Sequence, residues 1–271
     1  MRVMYKRIIA LISALALICG IQFTVYAADS YITLYGFSFD INDNGEAVIH
    51  EYDDRSENVV IPEKLLGANV VAIDDYAFFG DTVITSVSFE NATHLNYIGI
   101  DAFYGCTGLK TLNIPASIGA VQFGSFQNCT GLENAVIESG LTSIGDQAFM
   151  GCTSMKYIEI PDSVTSISNT AFKNCGKLVI YCNEGSYAQE YAEQRNIPYL
   201  LIYNYELGDV DLNRTINIRD VTTIQMFLAG ILDELPTFRG KHYADVTKDG
   251  KVNIRDATKI QMKLAGLIDN F

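Results

Sequence analysis

The chain has 271 residues, 49% of them apolar, and 32 acids against 19 Lys and Arg give a formal net charge of −13. That apolar share excludes a disordered chain, and the length fits one or two domains. The acidic balance argues against a phosphate-binding surface, and three His leave little material for general-base chemistry.

Arg2, Lys6 and Arg7 precede an apolar run, Ile8–Cys19, and Val25-Tyr26-Ala27 follows as a small-residue cleavage site. This order predicts a secretory signal peptide over residues 1–27, cut after Ala27. The run is too short and wrongly flanked for a membrane span, no later stretch could cross a bilayer, and no C-terminal anchor is apparent. The mature chain is therefore expected to be secreted, and losing those three bases makes its net charge −16. Export permits disulfides. Yet five Cys remain, an odd number, and Cys106, Cys129, Cys152 and Cys175 are spaced by 23 residues each, which is the mark of a structural repeat.

Residues 28–60 read as an N-terminal strand cap, with alternation over 31–52 around the turn signal Asn42-Asp-Asn-Gly45. The repeats follow, over residues 61–203 with a C-terminal cap. Phe78, Phe103, Phe126, Phe149 and Phe172 are separated by 25, 23, 23 and 23 residues, and each spaced Cys lies three residues after its Phe. Leu109, Leu132, Met155 and Leu178 come three residues later still. Short alternating strands close the middle units: Leu112-Asn-Ile114, Ala135-Val-Ile137 and Ile158-Glu-Ile160. One such unit cannot bury its own apolar edge, so the period predicts a solenoid with ladders of equivalent residues through the core. The Cys ladder reads as a column of small buried thiols. Metal or redox chemistry would want a Cys-x-x-Cys pair and nearby His.

These units resemble the BspA-type leucine-rich repeat, Ile-x-x-x-Ala-Phe-x-x-Cys-x-x-Leu-x-x-Ile-x-Ile-Pro, over roughly residues 60–182. The first unit departs with Asp81 at the Cys position, and the third with Ser125 before its Phe. The resemblance implies binding or adhesion at a cell surface and brings no catalytic residue. The strand face presents Ser86, Ser88, Thr111, Asn113, Asn134, Val136, Tyr157 and Glu159, either as a solvated sheet face or as a ligand face. Residues 185–194 then read as one short amphipathic helix, followed by a strand over 198–203.

The C-terminal module, residues 205–271, holds a duplication at an offset of 36 residues. Oxygen side chains fall at loop positions 1, 3, 5, 9 and 12: Asp209, Asp211, Asn213, Asn217 and Asp220 in the first copy, Asp245, Thr247, Asp249, Asn253 and Asp256 in the second. With a backbone carbonyl at position 7, here Thr215 and Lys251, this spacing serves a hard cation that wants six to eight oxygens. Ca²⁺ suits such an all-protein cage and Mg²⁺ does not, so two Ca²⁺ ions are expected. Gly250 supplies the left-handed position 6, where the first copy has Arg214. Val221, Ile224 and Leu228, like Ala257, Ile260 and Leu264, are spaced for one buried face per helix.

Two loop–helix segments of this kind resemble a type I dockerin. The resemblance implies docking onto a cohesin domain of a scaffoldin, in an extracellular cellulosome that degrades plant polysaccharide. It also implies that a second helix face contacts the cohesin: Ile218, Arg219, Thr222, Gln225 and Met226, and in the other copy Ile254, Arg255, Thr258, Gln261 and Met262. The fold class expected is a leucine-rich-repeat β-solenoid of short strands and turns followed by a small α-helical calcium-binding dockerin module. The function expected is a non-catalytic binding protein with a protein or glycan ligand on its repeats, no nucleic-acid partner and no membrane span. Two readings stay open beside it: a hydrolytic or accessory component of polysaccharide degradation, and a structural or inhibitory module.

Overall fold

The structure, a computed structural model, describes residues 23–25, 32–202, 207–211, 215–232, 235, 243–247 and 251–271. Apart from 23–25, the segment expected as a signal peptide lies outside the described residues. The chain divides into two compact units, one ending at Leu201 and the other Ile202–Phe271.

In the first unit the strands are β1 (Phe23–Val25), β2 (Ile32–Leu34), β3 (Phe37–Ile41), β4 (Ala47–Tyr52), β5 (Asn58–Val60), β6 (Lys64–Leu65), β7 (Ala68–Ile73), β8 (Ser86–Ser88), β9 (Tyr97–Ile98), β10 (Thr111–Ile114), β11 (Ala120–Val121), β12 (Asn134–Ile137), β13 (Ser143–Ile144), β14 (Tyr157–Glu159), β15 (Ser166–Ile167), β16 (Val179–Cys182) and β17 (Tyr199–Leu201). Strands β1 to β4 form an antiparallel meander, and β4 then pairs in parallel with β7. The β3–β4 turn is the hairpin read from the sequence: Asn42 Oδ1 accepts from the amides of Asn44 and Glu46, each at 3.0 Å.

The repeats build a parallel sheet in the order β5-β8-β10-β12-β14-β16-β17 and a narrower one, β11-β13-β15. Thr111 pairs with Asn134 and Asn134 with Tyr157, so each step across the sheet is one period of the sequence. The Phe side chains stack along the solenoid axis. Phe103–Phe126, Phe126–Phe149 and Phe149–Phe172 have ring centroids 5.3, 5.4 and 5.4 Å apart and planes within 11°. Both caps extend this column. Tyr52 of β4 stacks on Phe78 at 5.2 Å, and Tyr191 of helix α1 (Tyr187–Gln194) meets Phe172 edge-on at 6.1 Å. Solenoid ends must be closed in this way, because an open end would leave an aromatic face in water.

Two residues after each Phe the backbone is left-handed, at Gly80, Gly105, Asn128, Gly151 and Asn174, a conformation that the Gly or Asn found there adopts at least cost. All five described cysteines are free and buried, as the repeat reading expects. The two departures from the repeat have local reasons. Ser125 is buried, and its hydroxyl donates to the carbonyls of Gly99 and Gln122 at 3.0 and 3.1 Å. Asp81 Oδ1 accepts from the amides of Val83 and Ile84 at 2.8 and 3.2 Å and closes the first turn.

Candidate metal centre and docking faces

In the second unit, each acidic loop ends as the N-terminus of a helix, α2 (Ile218–Leu228) and α3 (Ile254–Leu264). Asn217 and Asn253 cap these helices: Oδ1 of each accepts from the amide two residues on, at 2.8 and 2.9 Å. Their Nδ2 groups donate to the position-7 carbonyls, Thr215 and Lys251, at 2.9 and 3.1 Å. Position 9 thus shapes the loop as well as offering an oxygen.

Position 12 turns back under the loop. Asp220 Oδ1 accepts from the amides of Val210 and Asp211 at 2.8 and 3.2 Å, and Oδ2 from that of Asn217 at 2.8 Å. Asp256 does the same with Thr247 and Asn253, at 3.0 and 2.8 Å, and Thr247 Oγ1 also donates to it at 2.8 Å. A hydroxyl at position 3 therefore spends its proton on the neighbouring carboxylate and keeps lone pairs for a cation. Both position-12 aspartates are fully buried, and Asp209 nearly so.

One carboxylate oxygen from each of Asp209, Asp211 and Asp220 lies within 4.8 Å of the other two. Calcium–oxygen distances of about 2.3–2.6 Å allow ligand oxygens up to roughly 5 Å apart, so this group has the span one Ca²⁺ requires. Buried like charges are costly without a cation to neutralise them, which agrees with that fit. Asn213 and Asp249, expected at position 5, lie outside the described residues.

Helices α2 and α3 pack through Val221, Ile224, Ala257 and Ile260, with Val210, Leu235, Ala244 and Val246. Leu228 and Leu264 do not join them. Both are exposed, a correction to the core stripe read from spacing, which gives a side chain's helix face and not what covers it. The candidate docking residues Ile218, Arg219, Thr222 and Gln225 are exposed, as are Ile254, Arg255, Thr258, Gln261 and Met262, while Met226 is half-buried. Each copy's set shares one helix, away from the core.

In the repeat unit, Thr111 and Asn113 are exposed, and Ser86, Ser88, Asn134, Val136 and Tyr157 half-buried. Glu159, read as part of this open column, is buried. Tyr157 and Tyr181 meet edge-on at 5.7 Å across β14 and β16. The sequence reading also missed an aromatic group on the turns: exposed Phe79 stacks on Tyr104 at 4.8 Å, and exposed Tyr76 lies 5.8 Å from Phe79. Glu138 is held by Asn113 Nδ2 and the Ala116 amide, each at 3.1 Å.

Comparison with known families bears on both units. Residues 52–179 match the BspA type Leucine rich repeat region in six copies, and residues 207–265 match the Dockerin type I domain. The chain is a BspA-type leucine-rich repeat protein with a type I dockerin domain. Leucine-rich repeats and dockerins are non-catalytic modules, and type I dockerins bind calcium. Among solved structures, the Treponema pallidum leucine-rich repeat protein is 26% identical, with a TM-score of 0.50, over 54% of this chain and 68% of that one. A leucine-rich cell surface protein from Faecalibacterium prausnitzii is 28% identical, with a TM-score of 0.54, over 62% of this chain and 43% of that one. A ScaB dockerin from Acetivibrio cellulolyticus, solved in complex with a cohesin of ScaC, is 31% identical, with a TM-score of 0.25, over 25% of this chain and 93% of that one. No curated protein matches the chain. Among the described residues of this repeat–dockerin protein, no helix is long and apolar enough to cross a membrane.

Proposed function

We propose that the protein is a secreted, non-catalytic binding protein whose dockerin takes up two Ca²⁺ ions and docks onto a cohesin domain of an extracellular scaffold of the cellulosome type. The observation that carries this reading is the duplicated loop–helix geometry. In both copies a buried position-12 aspartate accepts loop amides, and an Asn caps the helix while bonding the position-7 carbonyl. When bound, Ca²⁺ supplies positive charge at the centre of each loop. The chain's own residues would hold it: Asp209, Asp211, Asn213, Thr215 through its carbonyl, Asn217 and Asp220 in one loop, and Asp245, Thr247, Asp249, Lys251 through its carbonyl, Asn253 and Asp256 in the other.

The repeats would then be presented at the scaffold as the surface that binds protein or glycan. Secretion is supported by the charged, apolar and small-residue order of residues 1–27, and cleavage there would start the mature sheet at β2. The test is retention of the full mature chain on an array of recombinant type I cohesins, with Ca²⁺ and with excess chelator. Calcium-dependent capture by at least one cohesin supports the reading, and no capture by any overturns it. Release of reducing sugar from plant polysaccharides by the same preparation would overturn the non-catalytic part.

A further inference from the structure

We infer that the partner-binding surface of each dockerin helix continues past the helix end and is anchored there by Ile231 in the first copy and Leu267 in the second. This rests on the cohesin-docking reading above and names residues that neither the repeat spacing nor the family match assigns.

The geometry starts at the helix ends. Gly230 has φ +68° and donates to the Phe227 carbonyl at 3.1 Å, while the Ile231 amide donates to the Met226 carbonyl at 2.9 Å. Gly266, at φ +69°, donates to Lys263 at 3.0 Å, and Leu267 to Met262 at 2.9 Å. This is the glycine-terminated Schellman arrangement, and its second bond pins Ile231 and Leu267 against the turns that carry Met226 and Met262. At about 100° per residue, Met226 lies roughly 80° to one side of Ile218, and the buried Val221 and Ile224 lie roughly 60° and 120° to the other. The outward face therefore runs from Ile218 to Met226 and on to Ile231.

Exposure then separates this face from the core. Ile218 and Ile254 are 61% and 60% exposed, and Ile231 and Leu267 67% and 70%. A residue in the Schellman position commonly packs back on its helix, and these two do not. On this face each copy thus leaves two large aliphatic side chains in water, at matched positions and to matched extents.

Recent duplication would explain shared identities, but it does not explain this pair. Ile231 and Leu267 have diverged in identity and kept both apolar character and exposure, whereas Thr223 and Phe227 have become Lys259 and Lys263 over the same offset. Something other than ancestry holds the first pair apolar, and folding does not need it. A protein partner with an apolar contact surface does, since exposed aliphatic patches on soluble modules mark such contacts. The occupant we assign is a cohesin, seated on one copy's patch at a time.

The experiment uses the full mature chain loaded with Ca²⁺ and whichever type I cohesin of the array retains it. Ile231→Asp with Leu267→Asp should weaken that complex by on the order of tenfold or more. Ile231→Val with Leu267→Ile should leave it unchanged. The Ca²⁺-dependent helical signal and melting should be the same in both pairs, since the two side chains are exposed; if the Asp pair disturbs them, Ile231→Ser with Leu267→Ser repeats the test without charge. Unchanged affinity in a folded Asp or Ser pair overturns this inference and leaves cohesin docking standing. Failure of every cohesin to retain the unaltered chain overturns the docking reading, and this one with it. If the unaltered chain sediments as a dimer that the Asp pair dissolves, the occupant is a second copy and the cohesin assignment here is wrong.

Discussion

The Cys129 thiol donates to the carbonyl oxygen of Phe103, one repeat earlier, at 3.1 Å. The same bond joins Cys106 to Phe78, Cys152 to Phe126 and Cys175 to Phe149, at 3.1–3.2 Å. From Phe103 on, each Phe carbonyl of the ladder also accepts the amide of the Cys in its own turn, as Phe103 does from Cys106 at 3.3 Å. The carbonyl therefore ties its own turn and the next repeat to one point. A small buried side chain with a weak donor is what the site asks for, and cysteine supplies it.

Substitution at the ladder should follow that bond. Cys129→Ser puts a stronger donor beside the Phe103 carbonyl, so its cost should be about 1 kcal/mol rather than that of an orphaned hydroxyl. Cys129→Val adds volume and loses the donor, and should cost about 1–3 kcal/mol. Urea unfolding of the repeat unit gives both values. A serine variant less stable than the valine variant would mean that the carbonyl is not the partner.

The thiols also predict an alkaline limit to stability. The neighbouring Cys129 thiol, and then burial, push the Cys106 thiol far up. In the next pair Cys175 and burial raise the Cys152 thiol while Cys152 lowers that of Cys175, so these two opposed shifts offset one another. Unfolded, these thiols lose their protons near pH ~8.5. Above that pH the unfolded chain binds fewer protons than the folded one, so stability falls as pH rises; below it the contribution is complete. Urea midpoints measured from about pH 7 to 10 should fall more steeply above pH ~8.5 in the unaltered chain than in a Cys106→Ala variant. Equal slopes would disprove the protonated Cys106 thiol. In the native protein at pH 8, none of the four ladder thiols should label rapidly.

The solenoid was legible because a 23-residue period writes the same contact many times, so Phe126 and Cys129 declare their neighbours Phe103 and Phe149. What the period does not repeat was not legible. Tyr52 and Tyr191, which end the aromatic column, belong to no repeat, and nothing local marks them as stacking partners. Glu159 occupies an outward strand position, where alternation predicts exposure, yet it is buried. In the dockerin the gathering of Asp209, Asp211 and Asp220 carboxylate oxygens within 4.8 Å was legible from their spacing. The exposure of Leu228 and Leu264 was not, because spacing assigns a side chain to a helix face without saying what covers it there.

Calcium removal should unfold the dockerin and spare the repeats. The bonds from Val210 and Asp211 to Asp220 exist only while three carboxylates share one small volume, and repulsion opposes that without a cation. Excess chelator should therefore abolish hydrogen-exchange protection of the Val210 and Asp211 amides and of α2 and α3, while the amides of β10, β12 and β14 stay protected. Asp220→Ala should act on the first loop alone. Protection of Val210 that survives chelation would rule out a metal-dependent fold for that loop.

Gly208 tests how the second unit is closed. Its φ is +100°, and a Cβ there would lie 2.9 Å from the Phe271 ring. Its amide donates to the Tyr243 carbonyl at 2.8 Å, and Lys263 Nζ sits 4.4 Å over the same ring. Gly208→Ala must shift both the backbone and the ring, and should destabilise the Ca²⁺-loaded dockerin by about 1–3 kcal/mol. Phe271→Ala should relieve the contact and leave only the backbone part. A double-mutant cycle on thermal melting separates the two, and strictly additive costs would show that Gly208 and Phe271 do not press on one another.

The two copies also predict how many ways the protein can dock. Ile218, Arg219, Thr222, Gln225 and Met226 recur as Ile254, Arg255, Thr258, Gln261 and Met262. Each set begins at an Asn cap of the same geometry, and Thr222 and Thr258 donate to the Ile218 and Ile254 carbonyls at 2.9 Å alike. A partner that fits one set meets nearly the same residues on the other when the dockerin is turned to present its other helix. Ile218→Asp with Arg219→Asp should therefore leave cohesin affinity almost intact, weakened by no more than about twofold, the statistical factor for losing one of two equal modes. Ile254→Asp with Arg255→Asp should do the same. The quadruple variant places an acid in the contact in either orientation, and binding should be lost. If one double variant alone abolished binding in titration calorimetry while the other was silent, a single orientation would be in use, and the shared surface of the two helices would be inheritance from duplication.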